Sequence, residues 1–99
     1  MPPPPVELSA AAGAFLRALD SPVRQRILAL FARGAELSVG QVAERAGIGQ
    51  PRASEQLAEL RRGGLLTSRK DGKVTWYRAD RQAVAAALSD LQSYLKNCC

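Results

Sequence analysis

The chain contains no histidine, and its only cysteines, Cys98 and Cys99, are adjacent at the very end. Without imidazole, general acid–base catalysis and nitrogen-ligated metal centres lose their commonest side chain. With both thiols at one point, no disulfide framework can span the chain, and a reducing compartment keeps them as thiols. No apolar run approaches the roughly 20 residues of a membrane span. The start, Met1-Pro2-Pro3-Pro4-Pro5, lacks the basic and apolar regions of a secretory signal, so the sequence predicts a cytoplasmic protein with no membrane partner. There is no phosphate-binding glycine loop and no evident carboxylate pair facing a cleft, so an enzyme is not expected.

What is present begins with positive charge. The net charge is +5 over 99 residues, with 14 Lys/Arg against 9 Asp/Glu. Residues 21–78 hold eleven of those bases and five of the acids, so the excess sits in the middle of the chain. A polyanion-binding module needs that distribution. Basic composition alone fits an ordinary solvated surface equally well. The length suits one domain, whose modest core a dimer interface would supplement.

The proline run at 1–6 predicts an extended, disordered arm, leaving 7–99 as the folded unit. Leu8, Ala12, Phe15, Leu16 and Leu19 recur at helical spacing and predict a first helix over Leu8–Leu19. Asp20-Ser21-Pro22 stops it and starts a second helix to about Arg33, with Val23, Ile27, Leu30 and Phe31 inward. Ser38-Val39-Gly40-Gln41 has the capping-box pattern and opens a third helix, which Gly47-Ile48-Gly49 closes. A fourth helix runs from Gln50-Pro51 to about Arg62 and buries Ala53, Leu57 and Leu60. Two short helices joined by a glycine-containing turn are the helix-turn-helix pattern, and the second of them would be the recognition helix. After Gly63-Gly64 the period shortens: Leu65–Arg69 and Val74–Arg78 are β-rich runs around Lys70-Asp71-Gly72-Lys73, a hairpin signal. Asp80 can cap a last helix carrying Val84, Ala87, Leu88, Leu91, Leu95 and Cys98 along one face. The fold class expected is mainly α with a small β-hairpin: a winged helix-turn-helix of five helices and a two-stranded wing.

Five segments in this order carry a family resemblance: Leu16–Leu28, Glu36-Leu37-Ser38-Val39, Gln50–Leu57, Gly64-Leu65-Leu66, and Arg69–Tyr77. Over nearly its whole length the chain resembles the ArsR/SmtB family of winged helix-turn-helix repressors. The resemblance implies a homodimer built from the first and last helices, which binds operator DNA and is released by a metal or another effector. It also implies a double-stranded, pseudo-palindromic operator with half-sites about one helical turn apart.

On that expectation Gln50, Arg52, Ser54, Glu55 and Gln56 lie against base edges in the major groove. Arg52 suits guanine, and Gln50 or Gln56 suits adenine. The family usually has Arg-His where this chain has Glu55-Gln56, so its operator should differ from the common one. Arg69, Lys70 and Lys73 on the wing would grip the backbone and position the protein without specifying sequence. Arg61 and Arg62 read as solvated helix-end charges, with phosphate contact the alternative. Trp76 and Tyr77 read as hairpin and core packing.

For sensing, the relatives' His/Asp/Glu zinc site cannot be assembled without histidine. Ser38 and Gly40 stand where other relatives have a cysteine pair. The remaining candidate is Cys98-Cys99: adjacent soft donors suited to trivalent arsenic or antimony, with the arsenical as inducer and no cofactor required. Two thiols without a third favour an organoarsenical, unless a longer chain supplies another cysteine. The alternatives are redox chemistry, or no function, with Cys98 merely completing the apolar stripe.

Overall fold

The computed structural model describes residues 7–99; the proline run at 1–6 lies outside the described residues. The element order is α1 (Ala10–Leu19), α2 (Pro22–Ala29), a 3₁₀ turn (Ala32–Gly34), β1 (Leu37–Ser38), α3 (Val39–Ala46), α4 (Gln50–Arg62), β2 (Leu66–Asp71), β3 (Val74–Ala79) and α5 (Arg81–Cys98).

Local chemistry sets most of these boundaries. The Ser9 hydroxyl accepts from the Ala12 amide, so α1 starts at Ala10 rather than Leu8. Ser21 caps α2 in the same way, with Pro22 in its first turn. The second helix ends earlier than expected. The Leu30 and Phe31 amides bond back three residues, to Ile27 and Leu28, and this tightening turns Phe31 into the core at 2% exposure. Gly47 ends α3 in the left-handed region at φ 69°, where a β-carbon would be disfavoured. The Asp80 carboxylate caps α5 by accepting from the Ala83 amide.

The wing also differs from expectation. It is a three-stranded antiparallel sheet in the order β1-β3-β2, because Leu37 and Ser38 pair with Tyr77 and Trp76. In the hairpin, Asp71 pairs with Val74, which shortens the loop to Gly72-Lys73. The positive φ of 63° falls on Gly72, at the first loop position, as a II′-type turn requires.

One core joins these elements. Ile27, Val42, Leu57, Leu60 and Leu66 are its largest fully buried side chains, and each contributes about 2 kcal/mol through burial. The α4 helix crosses α1 closely at Gly63, where an added β-carbon would stand 2.4 Å from the Ala18 β-carbon and 3.0 Å from the Ala14 carbonyl oxygen. Arg24 adds a polar link. Its Nε donates to the Ala18 carbonyl at 2.8 Å, Nη2 to the Arg17 carbonyl at 2.9 Å, and Nη1 to Gln56 Oε1 at 3.2 Å. One guanidinium thus satisfies the last carbonyls of α1 and holds α2 to α4.

The apolar stripe on α5 divides in the structure. Ala87 is buried and Val84 and Leu91 are half-buried on the protomer's own core, while Leu88 and Leu95 are 53% and 60% exposed. Leu16 on α1 is 42% exposed. Among the described residues, no helix is long and apolar enough to cross a membrane.

Candidate nucleic-acid interface

The α3–turn–α4 unit is fixed from both ends. Ser38 Oγ accepts from the Gln41 amide at 3.2 Å while Gln41 Oε1 accepts from the Ser38 amide at 3.0 Å, closing the capping box. Behind the turn, the Ile48 amide bonds the Ala43 carbonyl at 3.0 Å. Burial of Val42, Ala43, Ala53 and Leu57 then sets the crossing of the two helices and turns the opposite face of α4 outward.

On that outward face Gln50, Arg52, Ser54 and Glu55 are exposed. Gln50 and Ser54 stand one turn apart, as do Arg52 and Glu55, so the first two turns of α4 present a polar surface of mixed hydrogen-bonding character. Gln56 is placed differently. It is half-buried, and its carbonyl oxygen already accepts from Arg24, so it ties α4 to α2.

The wing residues separate in the same manner. Lys70 and Lys73 are exposed near the hairpin tip, and among the described residues neither has a carboxylate within 4.0 Å. Arg69 is engaged in both directions of its fork: Nε donates to Glu36 Oε2 at 2.9 Å and Nη2 to Glu36 Oε1 at 2.6 Å. Its guanidinium also lies 6.0 Å from the centroid of Trp76, its cross-strand neighbour. Arg69 therefore braces the hairpin against the segment before β1. At the other end of α4, Arg62 pairs with Glu59 one turn back, while Arg61 is exposed.

The brace has a pH signature. The hydrogen bond from Arg69 holds the Glu36 carboxyl below its ordinary value of 4.5, outweighing desolvation, with added attraction from Arg69 and Arg78. Because the folded pKa is depressed, the stabilisation is complete above the ordinary glutamate range and is lost as pH falls through the lowered value. Trp76 is the chain's single tryptophan and reports the event. Its fluorescence should shift in the wild type as the pH falls below the ordinary glutamate value of 4.5, and stay flat there in Glu36→Gln. An identical acid shift in the variant would sink the assignment.

Cys98 and Cys99 are exposed at the end of α5 and bonded to each other as a vicinal pair. Among the described residues, no group of three or more His, Cys, Asp or Glu side chains converges as a metal site. Only when reduced would the pair offer two sulfur donors, with no third protein ligand beside it among the described residues.

Sequence reasoning overlooked Arg26 on α2 and Arg45 near the end of α3. Both border one cleft with Arg52. Their positions at 26, 45 and 52 carry no linear signal; only the packing of α2 on the helix-turn-helix brings them together.

Comparison with known proteins agrees with this architecture. The family described as "Helix-turn-helix domain" matches residues 19–69. The biofilm growth-associated repressor of Xylella fastidiosa is 36% identical over 76 residues, which is 77% of this chain and 66% of that protein, so the match spans just under two thirds of its length. The transcriptional activator HlyU of Vibrio cholerae is 35% identical over 80 residues, covering 81% of this chain and 73% of that protein. Among solved structures, the homodimeric winged helix-turn-helix DNA-binding domain of Mb0332 from Mycobacterium bovis, a possible ArsR-family regulator, superposes with a TM-score of 0.72 at 27% identity. The superposition covers 97% of this chain and 91% of that one. In fold, in the order of its elements and in sequence, the chain belongs to the ArsR/SmtB family of winged helix-turn-helix transcriptional regulators.

Proposed function

We propose that this chain is a DNA-binding transcriptional repressor that acts as a homodimer on a pseudo-palindromic operator and is released by an effector. The observation that carries the reading is the exposed polar surface Gln50, Arg52, Ser54 and Glu55, held on α4 against the capped helix α3 and beside the lysine-tipped wing. Helices of this kind enter the major groove with their early residues against base edges. Arg52 offers a bidentate fork to guanine, Gln50 an amide to adenine, and Glu55 an acceptor to cytosine. Lys70 and Lys73 supply phosphate contacts that set register. The exposed leucines of α1 and α5 supply the dimer contact, and Mb0332 is itself homodimeric.

The effector in this reading is a trivalent organoarsenical at Cys98 and Cys99. With the pair reduced, methylarsonous acid forms two S–As bonds as two As–O bonds break, and the thiol protons leave with the hydroxyls as water. Two soft donors match that species, whereas inorganic arsenite prefers three. Release follows if the ligand favours a dimer geometry whose recognition helices misfit the operator.

The test is fluorescence anisotropy of the reduced dimer on duplex DNA from its own promoter, titrated separately with arsenite and methylarsenite. Tight, salt-sensitive binding is expected. Release should require less methylarsenite than arsenite in the wild type and should fail in Cys98→Ser/Cys99→Ser. Binding indifferent to both arsenicals overturns the effector assignment and leaves the repressor reading intact. Absence of duplex binding overturns the repressor reading itself.

A further inference from the structure

We infer that Arg26 and Arg45 form a backbone-phosphate clamp beside the recognition helix, flanking the base-reading Arg52 across one cleft and separate from the wing. The inference rests on the DNA-binding reading and deepens it. The α2 helix, the end of α3 and the first turn of α4 enclose a cleft of about 350 Å³, and these three arginines stand around it. Its floor is apolar, made by Ile27, Leu30 and Ile48, along which the arginine stems can lie.

Among the described residues none of the three has a carboxylate within 4.0 Å. Arg24, Arg62 and Arg69, by contrast, are already committed, Arg24 to Ala18, Arg17 and Gln56, Arg62 to Glu59, and Arg69 to Glu36. Three like charges around one concavity repel in the free protein, and an anion in the cleft relieves that repulsion. Arg52 lies in the first turn of α4, so a strand whose bases meet this helix carries its phosphates past the cleft mouth. Guanidinium forks match phosphate oxygens bidentately, and the site takes polyphosphate backbone without regard to sequence.

The experiment measures dimer affinity by anisotropy from about 50 to 300 mM salt. One duplex is selected from a random pool and the other is its scrambled counterpart. Arg26→Ala and Arg45→Ala, each exposed and outside the core, are expected to weaken both duplexes about tenfold, with the ratio between them unchanged. The slope of log affinity against log salt should fall by about 2 per dimer, one phosphate per protomer. Arg45→Lys should keep most of the slope. Arg81→Ala, an exposed arginine at the start of α5, should match the wild type throughout.

Wild-type affinity and slope in both alanine variants would overturn the clamp while the DNA-binding reading stands. Loss of preference between the duplexes at an unchanged slope would also overturn it, by assigning these arginines to bases. A wild-type protein that binds neither duplex would overturn the reading and the clamp together.

Discussion

Gly63→Ala is expected to destabilise the fold by about 3 kcal/mol, at the upper end of the usual range for overpacking. At φ −80° the backbone of Gly63 suits alanine, and such a replacement ordinarily stabilises by about 0.4–1 kcal/mol through the unfolded chain. Here the sign reverses because of what the new methyl meets. It would stand 2.4 Å from the Ala18 β-carbon and 3.0 Å from the Ala14 carbonyl oxygen. Neither obstacle is the loose end of a long side chain. Ala18 is 3% exposed where the end of α1 packs against the end of α4, so relief requires the helix ends to separate. At about 4–8 °C per kcal/mol for a domain of this size, the melting temperature should drop by more than 10 °C at fixed protein concentration. The double variant Ala18→Gly/Gly63→Ala removes the closer clash and should recover part of the loss. A single variant that melts within a degree or two of the wild type would refute the close-approach argument.

The second large effect concerns assembly. Replacing Leu88 and Leu95 together by aspartate should give a folded protomer that no longer dimerises. Both leucines are more than half exposed, while Ala87, Val84 and Leu91 on the same helix hold α5 to the protomer core, so the protomer itself loses little. Two recognition helices joined in one body bind two half-sites with a high effective concentration, and a monomer forfeits that advantage. Operator affinity should therefore fall by about a hundredfold or more. Sedimentation would give the mass, circular dichroism the helix content, and anisotropy the affinity. A variant that stays dimeric would move the interface away from this face of α5. A monomer that binds the operator as tightly as wild type would refute the two-half-site reading.

The parts of the fold legible in sequence were those marked by punctuation residues with a strong local mechanism. Ser38 with Gln41, the glycines around Ile48, Pro51 after Gly49, and Asp80 each act within four residues, and the structure uses them accordingly. The features that sequence concealed depend on partners far apart in the chain. Strand β1 is only Leu37-Ser38, too short for an alternating pattern, and exists because β3 offers a free edge. Arg69 resembled a wing cation among three until Glu36, 33 residues earlier, claimed its fork. Gln56 is bound from 32 residues away by Arg24. Even the stripe on α5, correct as a period, gave no indication of where its inward half ends and its outward half begins.

The Arg24 contacts carry a mechanical consequence. One planar cation rivets the carboxyl end of α1 to the middle of α4, and the Gly63 crossing locks the same two helices about two turns further along α4. In the proposed dimer, the helix that would face a second subunit and the helix that would face DNA are thus spokes of a single wheel. Regulation of the proposed dimer would then swing whole subunits against each other rather than bend the reading head within one. What an effector would alter is the phase between two reading heads along the duplex, leaving the chemistry that each presents to its half-site unchanged.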